Sequence, residues 1–509
     1  MPTAIPAASA VETLSAGEER FEWWRKRIGA FAAPIVFVGM LLIPMPGLTV
    51  QAHRLAAIMA TVVVLWISEA LPMPVTALLG AAACVAMGVA KADVVFAPFA
   101  NQLIFLFIGG FILARAIFTH GLDRRLALAV LSLRGIGSRP ARIMVAFGAV
   151  TAFISGWVSN TATTAMMFAI GLSILRVMME RDARGEFTFN RRYATGLMLM
   201  TTFAASIGGL ATPIGTAPNI IGLGYIRDAL GVQIPFFKWS LIGVPVVLAL
   251  YAWLAFYLTA LSPAGIKILP GSHEMLEAER NRLGRWSTPQ YSTAIAFGIT
   301  VGLWVTPGLA ALVLGETSKT YRWMSDVMPE GVAAIIGAVL LFLFPGDRDG
   351  RAINWSEAVK IDWGVVLLYG GGLALGTLMF NTGLAKAIGE SLTQLLPVQG
   401  SPLAMLIAAT AVAAILSETT SNTASATMIV PVVIALAQSA GVDPLEPALG
   451  ATMGASLGFM LPVSTPCNAI VYGSGYIPIT RMIRYGILLD IVGVVIIVAM
   501  VKLLVPLIR

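Results

Sequence analysis

From residue 29 onward the chain is a succession of uncharged apolar runs, several of them about 17–25 residues long, joined by short loops that hold most of the charge. At about 1.5 Å rise per residue, a helix of that length matches a hydrocarbon core of roughly 30 Å. Hydrocarbon offers no hydrogen-bond partner, so a backbone inside it must satisfy itself, as a helix or a closed barrel does. Long runs without alternation specify helices. Only 12% of the 509 residues are charged, against about 25% in soluble domains. The fold class expected is therefore an all-α polytopic membrane protein, with about 11 spans. Gly 50 and Pro 28 fit helices that pack closely and break at chosen points.

Charge sets the orientation. The net charge of +7 sits in short loops and follows the positive-inside rule, so it does not argue for nucleic acid. Residues 1–19 read as a disordered tail, and residues 21–27, with Trp23, Trp24 and three basic residues, as an interfacial segment. Residues 1–28 are thus expected in the cytoplasm, with scaffold helices over 29–130. Spans near 29–48, 54–71, 74–90 and 101–119 return the chain to the cytoplasm at Arg124, Arg125, Arg134, Arg139 and Arg142. The next apolar block, 143–175, leaves through Arg176, Arg181, Arg184, Arg191 and Arg192. With both ends on one side it must be a hairpin. It is either re-entrant or a pair of full crossings; arms of about 16 residues reach about 24 Å, less than the core, which favours a re-entrant hairpin over 141–178.

The turn of that hairpin is Ser159-Asn160-Thr161, and the triplet recurs at Ser421-Asn422-Thr423. Adjacent small polar side chains face lipid badly but suit a break between half-helices, where Ser and Asn cap and free N–H groups meet a ligand. One such triplet would pass as a helix-packing patch. Two in matched contexts point to an inverted repeat. The offsets agree: 421 − 159 = 262, and Gly109-Gly110 to Gly371-Gly372 and Gly121-Leu122 to Gly383-Leu384 give 262 again. GTAPN at 215–219 pairs with STPCN at 464–468, at 468 − 219 = 249, the shortfall absorbed by the basic linker 176–192. The second block has only Lys386 as its nearest preceding basic residue and none in the loop after it, so its hairpin, 401–438, should enter from outside. Between the halves, 131–261 reads as the first part of a transport domain and 262–289, with Lys267, Arg280, Arg282 and Arg285, as a cytoplasmic loop. Scaffold helices of the second repeat follow over 290–392, with Arg348, Arg351 and Lys360 in a cytoplasmic loop, and the second transport part over 393–509.

Pro213, Pro218, Pro462 and Pro466 break two further helices. The two tips and two breaks should meet near the midplane, offering dipole ends to an anion and carbonyl and Asn oxygens to a hard cation such as Na⁺. Neither triplet block holds Arg or Lys, so bound cations must offset an anion's charge. His53, His120 and His273 are scattered, no zinc spacing, phosphate loop or nucleophile elbow occurs, and Cys84 and Cys467 suit no disulfide framework. An enzyme is not expected, nor any cofactor beyond Na⁺ as coupling ion. An anion channel would share a polar midplane and remains the alternative of another class. Glu418 reads as a hydrogen-bonded structural carboxylate, Met166 and Met167 as packing residues, and Arg115, Glu69 and Asp490 as groups near span ends that pair or snorkel.

The stretches SNTATTAMM at 159–167, ETTSNTASATMIVPV at 418–432 and LPVSTPCNAIVYGSG at 461–475 resemble the signatures of the divalent anion/sodium symporter family, from the GGFILA of the fourth span to the last helix. The resemblance implies a homodimer in the plasma membrane, with scaffold and transport domains and an elevator motion. It implies Na⁺-coupled uptake of C4-dicarboxylates such as succinate, malate and fumarate, with exchange, or carriage of sulfate or tricarboxylates, as the variants. By position it implies one Na⁺ site at Ser155, Ser159, Asn160 and the Gly215 loop, and a second at Ser417, Thr420, Asn422 and the Ser464 loop. Asn160, Thr161, Ser421, Asn422 and Thr423 would hold substrate carboxylates, with Thr216, Thr465 and Pro466 close by. Cys467 stands where the family usually has a second Pro, and Ser464 where Ala is common. Thr163-Thr164 after the first triplet, where exchangers tend to have Arg, leans toward symport.

Overall fold

The computed structural model describes residues 16–507 apart from 134, 137, 187, 189, 267, 269, 270, 348, 349 and 396–400. Arg134, Lys267, Arg348 and most of the N-terminal tail therefore lie outside the described residues. The described chain is helical, with a single isolated bridge between Pro345 and Arg351. Ten of its helices are long and apolar enough to cross a membrane, or up to eleven if the pair Lys319–Val327 and Glu330–Leu343, bent by 57°, is one span.

Both triplets are helix starts. The first hairpin is Pro140–Ser155 and Asn160–Ala183; the second is Pro402–Thr419 and Asn422–Ser439. Each begins with Pro in its first turn, where a missing N–H costs nothing. Two helices break as expected: Arg191–Gly208 resumes as Ala217–Leu230, and Leu445–Gly454 resumes as Pro466–Tyr472. The GL pairs also match in form. Gly121 and Gly383 both take positive φ, 65° and 81°, at the start of the helices Leu122–Leu131 and Leu384–Leu395.

Helices of the two repeats are held by exchange between halves. Gln102–Thr119 packs on Glu330–Leu343, and Trp363–Asn381 packs on Met73–Ala86. The paired glycines explain the closeness. A Cβ on Gly109 would come 2.5 Å from the Ala334 carbonyl oxygen, and one on Gly371 would come 2.9 Å from that of Ala77. Without hydrophobic driving force between helices in lipid, such backbone approach is what joins them. The hairpin arms are exchanged too. Asn160–Ala183 packs on Pro466–Tyr472 of the other half, and Asn422–Ser439 packs on Ala217–Leu230.

Three expectations need correction. The helix Ala16–Leu42 starts inside the segment read as a tail, so its last four residues are helical. The arm Asn160–Ala183 has 24 residues, about 36 Å; its extra turns, ending RVMMERDA, are polar and run past the apolar block, which hydropathy alone does not reveal. Asp490 is not near a span end. It lies well inside Ile479–Leu504, 8% exposed, with its buried carboxyl group beside that of Glu418. By contrast Glu69 and Arg115 do pair, with Arg25 and Glu357 at 2.7 Å each.

Candidate functional site

The tips are built alike. Ser159 caps its half-helix by accepting from Ala162 N at 3.3 Å, and Ser421 does the same for Ala424 N at 3.2 Å. Below each cap a buried serine holds the asparagine: Ser155 Oγ donates to Asn160 Oδ1 at 2.7 Å, and Ser417 Oγ donates to Asn422 Oδ1 at 2.7 Å. The Ser159, Asn160 and Thr161 faces are left open or half open, while Ser155 and Ser417 are fully buried behind them. Thr420 is also buried, its hydroxyl donating to the Leu416 carbonyl.

The broken helices are clamped by one residue type in each half. Asn219 Nδ2 donates to Gly209 O at 2.9 Å and Thr212 O at 2.8 Å. Asn468 Nδ2 donates to Gly458 O and Leu461 O, both at 2.9 Å. These partners share the 249 offset: 458 − 209, 461 − 212 and 468 − 219. An amide that satisfies two carbonyls of an unwound segment makes the break tolerable inside a membrane protein. Motif spacing singled out these asparagines without revealing that role.

All four elements meet at one cavity of about 590 Å³. Ser159, Asn160 and Thr161 line it with Ser421, Asn422 and Thr423, and so do Gly215, Thr216, Ser464, Thr465 and Pro466. Ser155, Ser417 and Thr420 sit behind that wall, and Cys467 lines it while only 2% exposed. The cavity runs outward to Arg115, Lys360 and Asp362, which sequence reasoning did not connect with the tips. Nothing in their spacing announces it, because Arg115 and Lys360 come from segments far apart in sequence. Ser206 also lines the cavity, its hydroxyl without a partner.

Glu418 acts on the second break. Its carboxylate accepts from Phe459 N at 2.5 Å, Met460 N at 2.8 Å and Leu461 N at 3.3 Å, and from Ser464 Oγ at 2.7 Å. It is the structural carboxylate expected, and it fixes the loop that carries Ser464. Among the described residues no group of three or more His, Cys, Asp or Glu side chains gathers to hold a metal. The oxygens at the tips are neutral hydroxyl, amide and carbonyl oxygens, a set for a hard monovalent cation rather than a transition metal.

Paired hairpins and paired breaks around one polar cavity define an inverted-repeat secondary transporter. Solved structures agree on the fold: the chain is similar to the YdaH transporter of Alcanivorax borkumensis, with TM-score 0.56 and 13% identity, covering 95% of this chain and 98% of that one. It is likewise similar to MtrF of Neisseria gonorrhoeae, with TM-score 0.55 and 12% identity, covering 95% and 96%. The family model for the sodium:sulfate symporter transmembrane region matches residues 23–508. The chain belongs to that family, the one its motifs resemble, and is a multi-pass membrane transporter rather than an enzyme. Sodium-dependent dicarboxylate transporters named SdcS are among its relatives. That of Staphylococcus saprophyticus is 36% identical over 94% of this chain and 91% of its own length. That of Staphylococcus aureus strain USA300 is 34% identical with the same coverage.

Proposed function

We propose that this protein carries C4-dicarboxylates such as succinate, malate and fumarate into the cell, coupled to Na⁺, across the plasma membrane. The observation that carries the reading is the single cavity walled by both triplets and both breaks, without a fixed cation at the tips. A dianion there meets hydroxyls, amides and helix N-termini, which compensate only part of its charge. Cations bound beside it supply the rest, so substrate and Na⁺ each raise the other's affinity. One Na⁺ is held by Ser155, Ser159, Asn160 and the Gly215 loop, the other by Ser417, Thr420, Asn422 and the Ser464 loop. The carboxylates lie on Asn160, Thr161, Ser421, Asn422 and Thr423, with Thr216, Thr465 and Pro466 around them. The relatives' names support both the sodium and the dicarboxylate.

The N-terminus faces the cytoplasm, two copies form a homodimer, and the transport elements, 131–261 and 393–509, move as an elevator past scaffold helices 29–130 and 290–392. The state described is inward-facing in this reading. The cavity reaches Arg115 and Lys360, and a neighbouring cavity of about 570 Å³ shares Ser421 and Thr423 and reaches Lys26 and Glu69, all on the side the positive-inside rule assigns to the cytoplasm. Radiolabelled uptake into proteoliposomes tests the reading, with di- and tricarboxylates and sulfate compared in Na⁺ and in choline. Succinate uptake driven by inward Na⁺ is expected. Flux independent of Na⁺ and without counterflow would instead identify a channel, and uptake only against preloaded dicarboxylate an exchanger.

A further inference from the structure

The tips have no fixed cation, yet the cavity has two at its mouth. Arg115 is on Gln102–Thr119, a scaffold helix, and Lys360 follows the short helix Trp355–Ala358; both line the cavity with the triplets. One carboxylate bridges them: Arg115 Nη2 donates to Glu357 Oε2 at 2.7 Å, and Lys360 Nζ donates to Glu357 Oε1 at 2.5 Å. Those hydrogen bonds, that of Lys360 first, hold the Glu357 carboxyl below the usual carboxylate range. Arg115 Nε is buried and its guanidinium lies 6.0 Å over the Phe118 ring, so the group is oriented with its Nη2 end on Glu357. Lys360 is half exposed. The third charged lining residue, Asp362, accepts from Val365 N at 3.1 Å and caps the helix that follows. With Asp362 counted, two cations and two carboxylates sum to zero, so what the mouth offers an anion is the local field of the Arg115 and Lys360 head groups rather than a net charge.

We propose that Arg115 and Lys360, with Glu357 between them, form a second anion site on the scaffold, which takes one carboxylate of the substrate as it leaves the tips. The proposal rests on the Na⁺-coupled dicarboxylate reading above. While Na⁺ is bound, the dianion is compensated at the tips. Once Na⁺ leaves, only neutral donors and helix ends remain there, and the mouth cations exert the strongest attraction in the cavity. Glu357 keeps this second site weak. An arriving carboxylate must displace it from Arg115 or Lys360, so the mouth relays the anion rather than trapping it. In the reverse direction the same pair gathers dianions from the cytoplasm.

The site belongs to one face only, and this gives the test. Succinate uptake by intact cells reads the outer face; radiolabelled succinate counterflow into inside-out vesicles reads the cytoplasmic face. Arg115→Gln and Lys360→Gln are each expected to raise the half-saturating succinate about fivefold at the cytoplasmic face, the size of a partly exposed ion pair. The outer face should change by less than about twofold. Glu357→Gln should act in the opposite sense, lowering the cytoplasmic value while slowing release. Added salt should shrink the wild-type advantage. An unchanged cytoplasmic value in both cation variants, or an equal rise at both faces, overturns the proposal. If Arg115→Gln fails to reach the membrane, the exposed Lys360→Gln decides alone. Absence of Na⁺-driven succinate uptake in the wild type is a separate result, and defeats the transport reading itself.

Discussion

The two breaks of this molecule are nearly superimposable in their hydrogen bonds and differ in how rigidly they are held. In both, an asparagine side chain spans the unwound turn, and a buried serine orients the tip asparagine. In the first half, however, the position matching Glu418 is Gly156 (418 − 262), whose carbonyl accepts from Thr212 Oγ1 at 2.5 Å. In the second half a carboxylate collects three backbone N–H groups and the Ser464 hydroxyl. The first break is held by tightness instead. A Cβ on Gly215 would lie 2.5 Å from the Gly209 carbonyl oxygen and 3.0 Å from Gly209 Cα. One break thus rests on sterics and the other on charge, while the asparagine clamp is the same in both.

The largest expected effect addresses what the halves share. Asn160→Ala and Asn422→Ala should each abolish Na⁺-driven succinate uptake while the protein stays folded by detergent gel filtration; robust uptake in either variant would break the equivalence. Gly215→Ser, which copies the second half into the first, should cause near-complete loss. Its Cβ meets backbone that cannot step aside, at a cost of about 1–3 kcal/mol or more, read as uptake and as thermal unfolding in detergent. Glu418→Gln comes next. Losing a charged acceptor costs about 1.5–3 kcal/mol, so the Na⁺ concentration for half-maximal uptake should rise about tenfold or more, and a wild-type Na⁺ dependence would show that the charge is idle. Ser464→Ala removes one of four donors to Glu418, a loss of about 1 kcal/mol, or roughly fivefold in the same measurement. A larger loss for Ser464→Ala than for Glu418→Gln would mean that the hydroxyl serves the cation directly.

Much of this was legible in the sequence, for identifiable reasons. Apolar run length specifies helices, and a polar triplet inside such a run has few other uses, so the helix breaks fall at the triplets, with new helices starting at Asn160 and Asn422. The constant offsets forecast that Asn160, Asn422, Thr216 and Thr465 would share a cavity, which they do. Side-chain partnerships were less visible. That Asn219 and Asn468 would clamp the breaks depends on backbone conformations no spacing encodes. Arg115 and Lys360 meet through Glu357 across 242 residues of chain, and no periodicity connects them. Asp490 was misread because hydropathy places a lone acid at a boundary by default, whereas Gly486 and Gly493 on its helix let the Phe459–Met460 and Leu457 segments pack close around it.

The exchanged packing of the hairpin arms has a consequence for biosynthesis. The arm ending at Ala183 needs the helix that starts at Pro466 as its wall, and the 282 residues 184–465 must be translated in between. At about 5–20 residues per second the nascent first hairpin waits roughly a quarter of a minute to a minute. Through that interval its polar tip has only the first-half break, 209–216, as a partner surface from its own chain. Quality-control proteases and insertion chaperones would meet the protein in this half-made condition, and a ribosome stalled between the two halves would leave an intermediate they can recognise.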